Sequence, residues 1–187
     1  MDDFHAQPTL GADLRALRKT RGLTLQDMAN TLGRSVGWLS QVERDLSEPS
    51  IADLRQIAAL LDVAVSSLFR SSAPINENGR IVRSESRRPI GSREAGLVEA
   101  LLNPDLTDDF EMVHCTFEPH SQIGETVTRP TQEVGYVMSG RLQITIEGDL
   151  YDLGPGDSFR IRGTPFRWQN PHDTACTAIW VIAPPVY

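Results

Sequence analysis

The chain has 187 residues, 40% hydrophobic, 23% charged and 6% aromatic, with a formal net charge of -7. That length supports one compact domain of ordinary size or two small ones, and the composition excludes collagen, low-complexity and coiled-coil classes. No apolar run reaches about 18 residues, and Asp2, Asp3 and Pro8 stand where a secretion signal would carry basic and apolar residues, so a soluble, cytoplasmic protein is expected.

Residues 1–9 are expected to be disordered. From Leu10 to Phe69 the apolar residues recur at helical spacing: Leu10, Leu14 and Leu17; Leu25, Met28, Ala29 and Leu32; Leu39 and Val42; Ile51, Leu54, Ile57, Ala58 and Leu61; then Val65, Leu68 and Phe69. This predicts five short helices, with breaks at Arg21-Gly22, Gly33, residues 45–50 and residues 61–64. Thr24 with Asp27, and Ser50 with Asp53, are spaced as capping boxes.

The run from Leu25 to Arg44 meets the constraints of a helix-turn-helix. Ala29 is small where one helix must approach the next, Gly33 sits where the turn needs a positive φ, and Leu39 and Val42 face inward. The same spacing also suits a helical hairpin with no DNA role. The run "LTLQDMANTLGRSVGWLSQVERDLSEPSIADLRQIAALLDVAVSSLF" resembles the Cro/cI-type (XRE) helix-turn-helix family over about residues 10–70.

The resemblance implies a five-helix, lambda-repressor-like DNA-binding domain whose second motif helix, about Ser35 to Arg44, enters the major groove. The base-contacting positions of the family fall on Val36, Gly37, Ser40 and Gln41, with Trp38 and Arg44 nearby. Gln41 suits a bidentate pair with adenine, Arg44 suits guanine or a phosphate, and Val36 suits a thymine methyl. Trp38 is equally suited to packing against the neighbouring helix. Thr24, Gln26, Arg34, Ser35, Ser47 and Ser50 are the candidates for backbone positioning, and Arg18 and Arg21 are further candidates on the first helix. Asp45 departs from the family where a glycine commonly closes the recognition helix, and Glu48 adds a second carboxylate to a loop expected near phosphates.

Residues 71–95 read as a linker rich in Ser, Arg, Pro and Gly, although Ile81 and Val82 can seed a strand. Lys and Arg number 8 against 9 Asp and Glu in residues 1–72, 5 against 3 in residues 73–95, and 5 against 13 in residues 96–187. The acid therefore sits in the last half. There, β-rich runs are expected over 97–102, 110–118, 133–138, 142–147, 158–162 and 175–183, with Gly140, Gly148, Gly154, Gly156 and Gly163 at the corners. Many short strands with glycine corners predict a barrel or sandwich. The whole is a two-domain α + β chain, with domains over residues 10–70 and 96–187.

"RPTQEVGYVMSGRLQITIEGDLYDLGPGDSFRIRGTPFRWQNP" resembles the two motifs of the cupin, a double-stranded β-helix or jelly-roll barrel; Glu133, Gly140, Gly156, Asp157 and Asn170 fill the expected places. The resemblance places the metal-binding histidines near Val127, Arg129 and Phe166, which leaves Glu133 alone of the His/His/Glu/His set. One carboxylate beside a guanidinium cannot hold a transition metal, so neither a metal nor a cofactor is expected. A barrel mouth lined by His114, Arg129, Glu133, Phe166 and Trp168 would suit a small organic effector. Alternation lets only one of His114 and Cys115 face inward. Arg129 and Glu133 can serve a carboxylate and an amine, or neutralise each other. Cys115 and Cys176 form no C-x-x-C and read as buried thiols, with a redox pair across the barrel as the alternative.

The two resemblances together imply a one-component bacterial transcription regulator, most similar to repressors of polyamine-utilisation genes. The expected partners are a roughly palindromic DNA operator, a small effector and a second copy of the chain, without a membrane. A purely dimerising barrel and a cupin enzyme are the alternatives.

Overall fold

The computed structural model describes residues 9–63, 65–68, 77, 79–90 and 94–186. They fall into two compact units: the described residues of Met1–Ile90 with Asn103–Asp108, and those of Gly91–Leu102 with Asp109–Val186.

The first unit holds four α-helices, α1 (Leu10–Thr20), α2 (Leu25–Leu32), α3 (Val36–Val42) and α4 (Ile51–Leu61). Each begins on a hydroxyl residue. Thr9, Thr24, Ser35 and Ser50 accept from the backbone N–H three residues on, and the boxes at Thr24/Asp27 and Ser50/Asp53 are complete. Gly33 ends α2 at φ 63°, a left-handed conformation that glycine adopts without strain. The apolar faces meet in one core, where Leu14, Leu17, Met28, Leu39, Ile57 and Leu61 are buried. The expected fifth helix is a single 3-10 turn, Val65–Leu68: a β-branched residue followed by two serines has little helical preference. Phe69 and residues 1–8 lie outside the described residues, as does much of the expected linker. Within that linker Ile81 and Val82 form no strand; a 3-10 turn at Ser84–Ser86 and the two-residue strand β1 (Arg88–Pro89) follow them.

Two buried ion pairs tie this unit together. Arg18 forks onto Glu43, with Nε 2.6 Å from Oε1 and Nη2 2.9 Å from Oε2. Asp13, fully buried, accepts from Arg88 Nη2 at 2.7 Å and from the backbone N–H of Leu106 at 3.2 Å.

The second unit is antiparallel β. Its strands are β2 (Leu97–Leu101), β3 (Glu111–Phe117), β4 (Ser121–Gln122), β5 (Gln132–Ser139), β6 (Leu142–Ile146), β7 (Asp149–Leu153), β8 (Ser158–Arg162), β9 (Phe166–Asn170) and β10 (Cys176–Ala183). One sheet runs β2-β3-β10-β5-β8, the other β4-β9-β6-β7. Their inner faces meet through aromatic rings: Phe117 meets Trp168 edge-on at 4.8 Å, and Phe166 lies 5.9 Å from Trp180. Gly135 makes room for this layer, because a Cβ there would stand 2.1 Å from the Phe159 ring.

Three strands of this unit were not expected from the sequence. β7 is exposed along most of its length and so shows no apolar alternation, and β4 is only two residues long. β9 does alternate, with Phe166, Trp168 and Asn170 buried, in a run close behind the Gly163 corner. Glu147 and Gly148, at φ 53° and 96°, form the two-residue turn between β6 and β7.

Candidate functional site

Helix α3 follows α2 across the three-residue turn 33–35, as a helix-turn-helix requires. Leu39 and Val42 are buried, which turns Gly37, Gln41 and Arg44 outward at i, i+4 and i+7. Val36, Trp38 and Ser40 are half-buried beside that row. A Cβ on Gly37 would meet nothing nearer than the Ser35 hydroxyl at 4.0 Å, so packing within the fold places no demand for glycine there. Arg44 is exposed and folds its Nε back onto the Ser40 carbonyl at 3.1 Å.

Several expected backbone-contacting groups are already engaged within the unit. The Thr24 and Ser50 hydroxyls hold capping boxes, and Ser35 caps α3. Gln26 donates to Asn30 at 2.7 Å. Arg34 pairs with Asp53, Nη2 to Oδ1 at 2.6 Å, and its guanidinium lies 5.1 Å over the Trp38 ring, a cation–π stack that gives the tryptophan an intramolecular role. Ser47 is half-buried in the loop that follows. Hydrogen bonds from Thr24 hold the Asp27 carboxyl below the usual carboxylate range, and Ser50 first, then Arg34, do the same for Asp53.

Arg18 and Arg21 face elsewhere. Arg18 is buried on Glu43, whose hydrogen bond raises the guanidinium pKa further, while Arg21 donates to the Leu61 carbonyl at 2.9 Å. Asp45 adopts φ 58° where the family places glycine. Its carboxylate accepts from Gly11 N–H at 2.9 Å, joining the loop after α3 to the first turn of α1. A Cβ on Gly11 would come within 2.4 Å of the Val42 carbonyl, so the small residue permits that junction. Sequence reasoning missed the roles of Asp45 and Glu43 because each partner lies 25 or more positions away.

In the second unit, four positions named by the cupin motifs converge. Val127 and Phe166 exchange two backbone hydrogen bonds of 2.8 and 2.9 Å, Arg129 lies 5.4 Å over the Phe166 ring, and its Nε is 3.3 Å from Glu133 Oε1. Glu133 is fully buried, accepting from the Thr131 hydroxyl at 2.6 Å and from Trp180 Nε1 at 2.8 Å. The cupin fold often carries a metal at this place. A lone carboxylate already ringed by a guanidinium, a hydroxyl and an indole does not fit one, and among the described residues no three His, Cys, Asp or Glu side chains are grouped to hold an ion.

The other expected effector residues stand apart from any mouth. Phe166 and Trp168 are 2% and 3% exposed, within the inter-sheet core. Cys115 takes the inward position on β3 with Val113 and Phe117, so His114 faces outward. An open groove of about 510 Å³ lies instead beside Thr131, lined by Pro130, Thr131, Gln132, Arg162, Gly163 and Pro184 among others. No sequence motif marked it, since its walls come from three separated segments.

Cys115 and Cys176 are free and buried on neighbouring strands. Phe117 stands opposite Cys176, and Ala178 opposite Cys115. Burial pushes the Cys176 thiol up to about 11 and raises Cys115 well above its ordinary value. Both thiols should resist a thiol-specific reagent at pH 8 in the native protein and react promptly in denaturant. Fast native labelling would show the strands opening.

The molecule thus joins a helix-turn-helix domain to a cupin domain. Family profiles agree, a helix-turn-helix domain matching residues 9–67 and a cupin domain residues 113–182. The HTH-type transcriptional regulator PuuR of Escherichia coli K12 is 24% identical over 178 residues, covering 95% of this chain and 96% of its own. The HTH-type transcriptional regulator SutR of the same organism is 27% identical over 154 residues, 81% of this chain and 80% of its own. The polyketide cyclase RemF of Streptomyces resistomycificus shares the barrel fold, with a TM-score of 0.51 at 19% identity over 57% of this chain and 80% of its own. The chain carries a helix-turn-helix domain and a cupin domain, and its similarity to HTH-type transcriptional regulators along nearly its whole length supports a DNA-binding regulator. Among the described residues no helix is long and apolar enough to cross a membrane.

Proposed function

We propose that the chain acts as a homodimeric cytoplasmic repressor whose α3 reads a roughly palindromic operator and whose cupin domain is a sensor and not a catalyst. The observation that carries the DNA-reading half is the outward row Gly37, Gln41 and Arg44, held in place by buried Leu39 and Val42. Gln41 makes the base contact, to adenine, while Arg44 unfolds from Ser40 onto a phosphate or guanine. Gly37 lets the helix backbone approach the base edges.

Genome-wide footprinting would define the operator; absence of footprints would overturn this reading. On that operator, Gln41→Ala is expected to weaken specific binding by about 1–3 kcal/mol while non-specific binding holds. Anisotropy titration of cognate and scrambled duplexes measures both. Equal losses on the two would remove Gln41 from base recognition.

For the sensing half, support comes from the groove of about 510 Å³ with Arg162 in its wall beside Thr131. Both Glu133 oxygens already have protein donors, so the effector this reading favours bears a carboxylate and not an amine. A thermal-shift screen of carboxylic acids against polyamines distinguishes them, because a specific ligand raises the melting temperature by mass action. A hit that leaves DNA affinity unchanged would reduce the barrel to a scaffold.

A further inference from the structure

The sequence offers Arg34 to the DNA phosphates, but the fold employs it within the helical unit, where this one residue reaches three helices. Its backbone N–H donates to the Ala29 carbonyl at 3.0 Å, closing the C-terminus of α2 beside Gly33. Its guanidinium lies 5.1 Å over the ring of Trp38 on α3. Nε and Nη2 both donate to Oδ1 of Asp53 on α4, at 3.0 and 2.6 Å.

Asp53 is 6% exposed, and its two oxygens have separate duties. Oδ2 accepts from the Ser50 backbone N–H at 3.0 Å and from its hydroxyl at 2.6 Å, which closes the α4 capping box and leaves Oδ1 to the arginine. The α2 box of Thr24 and Asp27 closes with no arginine on it among the described residues, so capping by itself does not call for Arg34. Drawing the guanidinium away to a phosphate would strand Asp53 as a buried charge without its counter-ion, a costly state.

Helix α3 has only seven residues, and buried Leu39 and Val42 hold one face of it. Trp38 adds a second line of attachment to the side of that face. It stands three positions before Gln41, so the two are neighbours on the helix surface, and a rotation of α3 that displaces one displaces the other. A side chain that must meet a base edge through two hydrogen bonds tolerates only about 0.5 Å and 10–20° of misplacement.

We propose that Arg34 is a positioning residue for operator recognition: stacked on Trp38 and paired with Asp53, it sets the rotation of α3 against α4 and so where Gln41 meets the base edge. This rests on the reading of α3 as the helix that reads the operator. The guanidinium acts here through its plane as well as its charge, since it covers an aromatic ring while donating two hydrogen bonds at its edge, which an ammonium group does not do.

Two variants of the full chain separate this role from a phosphate contact. Arg34→Lys keeps the charge, and Asp53→Asn removes a negative one. A phosphate contact would survive the first, while the second would free the guanidinium and tighten binding. Positioning predicts the opposite: each variant weakens binding to the cognate duplex about tenfold and holds a scrambled duplex at least as well as wild type, in anisotropy titrations. The double variant should lose no more than either alone, as members of one network do. Trp38 supplies a signature that lowered stability would not produce. Trp168 and Trp180 are 3% and 4% exposed, so acrylamide quenching of the folded chain reports chiefly on Trp38, and Arg34→Lys should raise it. Circular dichroism confirms that each variant is folded at the titration temperature; should Asp53→Asn unfold, Arg34→Lys decides by itself. Wild-type cognate affinity for Arg34→Lys, tighter binding by Asp53→Asn, or equal losses on both duplexes overturns the positioning role. If Gln41→Ala also leaves cognate binding intact, the reading of α3 falls with it; if Gln41→Ala loses cognate binding, only the role of Arg34 falls.

Discussion

Arg18→Ala is expected to cost the helical unit about 3–5 kcal/mol, enough to populate its unfolded state at room temperature. The guanidinium makes three hydrogen bonds, two to the Glu43 carboxylate and one to the Leu23 carbonyl. Truncation leaves Glu43, 7% exposed, as a buried charge without its counter-ion at the C-terminus of α3. A helix C-terminus already carries partial negative charge, so the arginine also screens an unfavourable placement. Urea melts followed by circular dichroism measure the loss. Arg18→Met combined with Glu43→Leu should recover most of it, because the penalty is desolvation of an unpaired ion and not the absence of the pair. If Arg18→Ala melts with the wild type, the ion pair contributes nothing.

Glu133→Ala is expected to be of similar size, about 3–5 kcal/mol in the barrel. It removes the acceptor for Thr131 and Trp180 and the counter-ion of Arg129 together. Glu133→Gln should lose less, since an amide oxygen still accepts one hydrogen bond while its NH2 faces donors. Trp180 packs edge-on against Phe159 at 4.8 Å, so a shifted tryptophan emission spectrum should accompany the change in melting temperature. A wild-type melt for Glu133→Ala would mean that the ring of donors is satisfied in another way, and it would reopen Glu133 as an effector group.

The fold was largely legible where the physics is local. Leu39 and Val42 face inward because a helix repeats every 3.6 residues, and the hydroxyl residues before α2 and α4 begin helices because they satisfy backbone N–H groups three positions on. In the barrel the strand segments followed from β-rich runs and glycine corners, except for β7, where burial was too slight to write an alternating pattern, and for β4 and β9. The site was legible in part. The outward row of α3 follows from its buried partners, whereas Arg18, a candidate DNA contact in the sequence, is buried on Glu43.

From the sequence alone came the two domain types, the position of the second helix of the helix-turn-helix and the missing histidines of the cupin metal set, because each depends on neighbours within a few residues or on side-chain chemistry itself. Tertiary structure alone decided that Cys115 and not His114 turns inward, that Phe166 and Trp168 fill the core, and that Arg18, Arg34 and Glu133 meet protein partners. The physical reason is that strand parity inverts with a one-residue change of register. A charged side chain, for its part, takes its role from whichever opposite charge or hydrogen-bond donor the fold brings within about 3 Å, and those partners can lie 19, 25 or 47 positions along the chain.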